Sequence, residues 1–308
     1  MADLAIRDVG AGLVEEPVYF SAGDEVLFGI RTRPVAGGSD AGVVLVHNGP
    51  YNMTAHQNRM WVKLCRSAGH AGLSSLRFDL TGTGDSSGVA HERSATAQAL
   101  TDTLAAIDFL RQGGAQRVAV VGTCRGALVA LHAAARTAGL VGALLGGSPP
   151  LAEITDEQLG LLSWQATTVR EAVAGAVRVD VARRLVTDRE YRSWVVSRGR
   201  RRLSSVLARG RPAPATAARD VPYPLLDDFQ ALIAQRTPVK VVFAEADSQY
   251  QQFLAVREGL IGQIIDQPGT TVDVEVLPGH LHEFTTVESQ DRFVELVLSW
   301  LVTVCDQS

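Results

Sequence analysis

Cysteine is scarce in this chain: Cys65, Cys124 and Cys305 are the only three in 308 residues, an odd and widely spaced set. Such a set fits neither a disulfide framework nor a zinc cluster, so each cysteine needs its own explanation. Long apolar runs are also missing. No run of uncharged apolar residues reaches the ~18 that a membrane-spanning helix needs, and the opening Met1-Ala2-Asp3-Leu4 lacks the basic and then apolar layout of a signal peptide. The expectation is a soluble, cytoplasmic protein with no membrane partner. Excess positive charge is absent too: the net charge is −4, which excludes a generally basic nucleic-acid binder. That average hides an asymmetry, because residues 151–236 hold fourteen arginines against ten acids, with Arg198, Arg200, Arg201 and Arg202 the densest cluster.

What is present is apolar sequence, 46% of the chain, enough for one large core or a core with a smaller module. Pro17–Phe20 and Val26–Ile30 flank the turn-forming Ser21-Ala22-Gly23-Asp24 and read as a hairpin. Gly42–Val46 is an uninterrupted β-branched run of the kind buried on both faces of a parallel sheet. Helical sequence around Arg59–Ala68 follows, then strand-like Leu73–Phe78, a glycine-rich loop at Gly82–Gly88 and a long helix around Ala95–Gln112. Strand Arg117–Val121, helix Ala127–Thr137 and strand Val141–Leu145 continue a doubly wound α/β pattern. From about 151 to 236 the alternation stops, and helical sequence appears with a capping-box signature at Thr187-Asp188-Arg189-Glu190. Strands at Val239–Phe243 and Thr271–Leu277 and a helix over Ser289–Val304 resume it. The expected organisation is thus a core over 1–150 and 237–308, interrupted by a helical cap over 151–236.

The chemistry-bearing residues fall after strands. Gly122-Thr123-Cys124-Arg125-Gly126 has the form G-x-C-x-G between a strand and a helix. A nucleophile on so sharp a turn needs small residues two before and two after it, and the helix that follows aims its positive dipole end at the thiol. Phe243-Ala244-Glu245-Ala246-Asp247 ends another strand, at the sheet edge where catalytic groups gather; Asp247 is the candidate acid, with Glu245 the weaker alternative. Leu277-Pro278-Gly279-His280-Leu281-His282 places two histidines in a loop before the last helix, and one of them is the candidate base. The order nucleophile, acid, histidine is that of one fold among several that build such triads. A His-x-His pair can also bind metal, but no second ligand cluster accompanies it, so no metal is expected. Gly82, Gly84 and Gly88 miss the dinucleotide spacing G-x-G-x-x-G by one residue, and no cofactor is implied.

Through Val46-His47-Asn48-Gly49-Pro50, Leu76-Arg77-Phe78-Asp79-Leu80-Thr81-Gly82-Thr83-Gly84-Asp85-Ser86, the G-x-C-x-G turn, Asp247 and His282, nearly the whole chain resembles the α/β-hydrolase superfamily. The resemblance implies an oxyanion hole from the N–H groups of Arg125 and of Asn48 or Gly49, and its His-x-Phe loop ending selects His282 over His280. The departure is the nucleophile, usually serine; cysteine occurs on this fold in dienelactone hydrolases, polyester synthases and acyl-transferring or thioesterase-type members. The expected function is acyl transfer through an acyl-cysteine, from thioesters carried on coenzyme A or an acidic carrier protein toward which the Arg198–Arg202 cluster would be directed. Hydrolysis of small esters or lactones with the same triad is the alternative, and a catalytically silent binding protein is a third.

Overall fold

A parallel sheet forms where apolar runs can present both of their faces to helices, and the computed structural model assembles the chain in that way. It describes residues 6–8, 12–47, 54–89, 95–147, 224–257, 259–279 and 286–306. These elements belong to one unit, Met1–Glu153 with Tyr223–Ser308. The other unit, Ile154–Pro222, lies outside the described residues, and with it most of the expected helical cap.

Nine strands form one sheet: β1 (Ile6–Asp8), β2 (Leu13–Ala22), β3 (Glu25–Pro34), β4 (Ala41–Val46), β5 (Ser74–Phe78), β6 (Arg117–Thr123), β7 (Leu140–Gly146), β8 (Val239–Ala244) and β9 (Val272–Leu277). Their order is β1-β2-β3-β5-β4-β6-β7-β8-β9. The first three pair antiparallel, β3 meets β5 antiparallel, and β5 through β9 are parallel neighbours. The connected helices are α1 (Met60–His70), α2 (Ala95–Gln112), α3 (Arg125–Arg136), α4 (Pro224–Ala234), α5 (Ser248–Arg257), α6 (Leu260–Ile265) and α7 (Val287–Asp306). Strand order reverses around β4, which has β5 on one side and β6 on the other. Such a switch point is where open α/β sheets form a crevice at the carboxyl ends of their strands.

The period of two along each strand divides the core. Val44 and Val46 join α2, α3 and α4 in one buried cluster, while Val43 and Leu45 join α1 and α7 in the other. The unbroken apolar sequence of β4 is therefore the mark of a strand covered on both sides. The hairpin is longer than the turn signals suggest, with Ala22 opposite Glu25 across Gly23-Asp24. Pro224–Ala234, which the sequence groups with the insertion, belongs to the core unit and buries Leu225, Phe229 and Leu232. Neither α5 nor α6 is apparent in the sequence. α5 reads SQYQQFLAVR, with Phe253 reaching the core and Leu254 exposed, and α6 is too short to show a helical period.

The glycine-rich loop after β5 is organised by one carboxylate. Asp79 is buried, and its oxygens accept the Thr54 N–H at 2.8 Å and the Asp85 N–H at 3.2 Å. Gly84, at φ 52°, lies so close that a β-carbon there would meet Asp79 Oδ2 at 2.0 Å. Ser86 completes the arrangement: its hydroxyl donates to the Asp79 carbonyl and accepts the Phe28 N–H of β3. Burial raises the Asp79 carboxyl above its usual range, against the lowering effect of the Thr54 N–H. Replacing Gly84 with Ala is expected to cost about 2–4 kcal/mol, the sum of a left-handed backbone without glycine and a displaced buried carboxylate. Urea unfolding of the variant checks this, and an unchanged midpoint would refute it.

Candidate active site

The turn between β6 and α3 fixes the candidate nucleophile. Cys124 sits at φ 53° and ψ −120°, a conformation outside the regions open to ordinary residues and costing on the order of 1–3 kcal/mol. Its neighbours make the turn possible. A β-carbon on Gly122 would lie 2.1 Å from the Gly126 carbonyl oxygen, and one on Gly126 would lie 2.4 Å from the Val46 carbonyl oxygen. The first turn of α3 therefore rests directly on the ends of β6 and β4, and only glycine permits that approach. The Cys124 N–H donates to the Gly146 carbonyl at 2.8 Å, which fastens the turn to β7. Arg125 occupies the first position of α3, where N–H groups face the turn rather than a preceding helical carbonyl.

The three cysteines differ in setting. Cys124 is partly exposed, whereas Cys65 and Cys305 are buried in the core between the sheet and α1 and α7. Burial pushes both core thiols up to about 11.

The candidate acid lies on the same edge of the sheet. Asp247 follows β8 and is 3% exposed, while Glu245, two residues before it, is exposed. Glu245 N–H donates to the Leu277 carbonyl at 2.9 Å and Ala246 N–H to the Gly279 carbonyl at 3.1 Å. The loop holding Asp247 is thus joined to the start of the loop after β9. His280 and His282 belong to that loop and lie outside the described residues, as do Asn48, Gly49 and Arg198, Arg200, Arg201 and Arg202.

Both flanks of the stretch containing Asn48 and Gly49 are nevertheless fastened. Before it, His47 is buried and its Nε2 accepts the Leu80 N–H at 3.4 Å. After it, Thr54 is held by Asp79 through its N–H and by Arg77 through its carbonyl, the latter at 3.5 Å. The Arg-Phe-Asp signature therefore holds Thr54 through Asp79 and Arg77.

His56 is a second imidazole beside the turn. Its Nδ1 accepts the Gln57 N–H at 2.8 Å, its Nε2 lies 3.1 Å from Thr123 Oγ1, and its ring packs on Trp61 with centroids 4.9 Å apart. Nothing in the local sequence marks His56, because a strained φ at a residue other than glycine leaves no compositional trace.

A residue held in this conformation between a parallel strand and a helix is how one large class of α/β enzymes presents its nucleophile. The chain belongs to the α/β-hydrolase family, whose profile matches residues 43–296. Solved structures agree on the fold. Proline iminopeptidase from Mycobacterium smegmatis is 19% identical, with 94% of this chain and 98% of that chain covered at a TM-score of 0.57. An esterase of Pyrococcus furiosus is 14% identical, with 96% and 93% covered at 0.59. A dienelactone hydrolase from Anabaena variabilis is 14% identical, with 95% and 98% covered at 0.57. No curated protein matches the sequence. Among the described residues, no helix is long and apolar enough to cross a membrane.

Two outcomes follow from these surroundings. Iodoacetamide should label Cys124 in the native protein and reach Cys65 and Cys305 only after unfolding, because a buried thiol raised to about 11 is neither accessible nor ionised. Peptide mass mapping reads this, and equal labelling of all three would refute it. His56 governs a pH effect. Burial, with the neighbouring His47 adding to it, pushes its pKa down from 6.5 to about 3. The unfolded chain takes up this proton near pH 6.5 and the folded chain only near 3, so stability is lost as pH falls through that window, by up to ~1.4 kcal/mol per pH unit. The melting temperature of His56→Gln is therefore expected to fall less steeply than that of the wild type across the same window; parallel curves would refute the assignment.

Proposed function

We propose that this α/β-hydrolase family member carries acyl groups on Cys124, with His282 as the base and Asp247 as the residue that orients it. The observation that supports the reading best is the strained backbone of Cys124 at the start of α3, with a partly exposed thiol on the carboxyl edge of the sheet. Burial favours Asp247 over the exposed Glu245 as the orienting acid. The backbone bond from Ala246 to Gly279 supports His282 as its partner, since the histidine loop starts there.

In this cycle His282 takes the Cys124 proton, and the thiolate attacks the carbonyl of the acyl donor. The N–H groups of Arg125 and of Asn48 or Gly49 stabilise the tetrahedral oxyanion, each worth roughly 3 kcal/mol. The intermediate collapses to an acyl-cysteine with expulsion of the thiol or alcohol, which takes up the proton held on His282. A thioester is close in free energy to the thioester it came from, so the acyl group can pass to a second thiol or another acceptor. Acyl thioesters on coenzyme A or on an acidic carrier protein fit this chemistry, and Arg198, Arg200, Arg201 and Arg202 are the proposed contacts for such a donor. The second reading is a hydrolase of small esters or lactones that uses the same residues with water as acceptor. It draws on solved structures of the same fold that include an esterase and a dienelactone hydrolase.

Intact-mass spectrometry after mixing with a panel of acyl thioesters and esters tests the proposal. The expected result is a covalent acyl adduct on Cys124 that disappears faster when a thiol acceptor is added. Cys124→Ser should then shift the product ratio from transfer toward hydrolysis, because an oxygen ester passes its acyl group to a thiol only uphill. A release rate indifferent to every acceptor, in both proteins, would replace transfer by hydrolysis.

A further inference from the structure

We infer that His56 is a positioning residue for the nucleophile: as a fixed hydrogen-bond donor it holds Thr123, and through it Cys124, in the orientation from which the thiol attacks. The inference rests on the reading of Cys124 as the nucleophile.

Two bonds determine the state of the ring. Nδ1 accepts the Gln57 backbone N–H at 2.8 Å, so that nitrogen presents its lone pair. In the neutral ring the proton is then on Nε2, which donates to Thr123 Oγ1 at 3.1 Å. A proton on Nδ1 would set N–H against N–H, and the burial of the ring opposes a charge in any case. In this tautomer His56 donates to Thr123 rather than accepting from it.

The backbone shows that this imidazole is held at a cost. His56 lies at φ 58° and ψ 173°, a region that suits glycine, and Asn58 and Arg59 follow at φ 48° and φ 61°. Three left-handed residues within four positions are needed to bring the ring from its own loop to the buried hydroxyl of Thr123. Strain of this kind persists where the surrounding contacts over-determine it, and those contacts include Thr123, the Gln57 N–H and the Trp61 ring. Two residues earlier, Thr54 is clamped by Asp79. The bond from His56 to Thr123 therefore links the segment anchored by Asp79 to the residue immediately before the nucleophile.

The test measures acyl-enzyme formation from phenyl thioacetate by intact mass, with thermal melting of each full-length variant alongside. Asparagine places its amide at the position of Nδ1, and glutamine places it at the position of Nε2. His56→Asn and Thr123→Val are expected to slow acylation roughly tenfold, as for one lost hydrogen bond, with little change in KM. His56→Gln is expected to restore the rate to within about twofold of wild type, and His56→Asn with Thr123→Val to be no slower than either alone. Equal losses in the Asn and Gln variants, additive losses in the double variant, or full rates in both single variants would each overturn the inference. Complete loss in His56→Asn with normal melting would overturn it as well, by making His56 the base. A wild type that forms no adduct, or forms one without Cys124, is a separate outcome: it removes the nucleophile reading, and the inference falls with it.

Discussion

Gly122 and Gly126 approach so closely that a β-carbon on the first would meet the carbonyl oxygen of the second at 2.1 Å. This backbone contact sets the angle at which α3 leaves β6, and with it the position of Cys124 above the sheet. Gly126 in turn rests on the carbonyls of Val46 and His47 at the end of β4. Three elements are thereby joined at one point without a side chain between them. The strain at Cys124 is carried by that junction and by the bond from its N–H to Gly146, so it does not relax by moving one loop.

Asp79 plays the corresponding part on the other flank. It is a buried carboxylate that accepts one backbone N–H from Asp85 in its own loop and one from Thr54 ahead of α1, and Arg77 binds the carbonyl of the same Thr54. A charge so placed is costly unless its partners are fixed. Gly84 allows the fit by leaving no atom where the carboxylate lies. Between this anchor and the Cys124 turn lie two imidazoles, His47 and His56, each bound by a nitrogen to a backbone N–H. Burial keeps the His56 ring neutral, with its pKa down at about 3.

Much of this was legible in the sequence, for physical reasons that differ by element. The strands β4, β6, β7 and β8 are covered on both faces, so their β-branched runs announce them. G-x-C-x-G is legible because the close approach of two backbones forces glycine at fixed offsets. The position of Asp247 just after β8 is legible because that strand is. The hairpin strands are half exposed, which blurred their ends, and α5 lacks an apolar stripe because it packs through Phe253 with Leu254 left outside. Pro224–Ala234 reads as part of the insertion because no strand separates it from the arginine-rich stretch, yet its three buried apolar residues attach it to the core. His56 was illegible altogether. Its place depends on a chain of left-handed dihedrals at His56, Asn58 and Arg59, and tertiary contacts, not residue preference, hold them.

The way the Cys124 turn is held has a bearing on how such proteins diversify. Its geometry is enforced by Gly122, Gly126 and the carbonyls of Val46 and Gly146, all of them main-chain contacts, and its side chain does not cap α3. Serine and cysteine differ by a single atom and one nucleotide change, and either can sit on this turn without rebuilding it. The scaffold behaves as a socket, in which the side chain at position 124 can be exchanged while the main-chain frame around it stays the same. Under the role proposed for Cys124, one substitution there would exchange sulfur for oxygen and leave the turn that presents it in place.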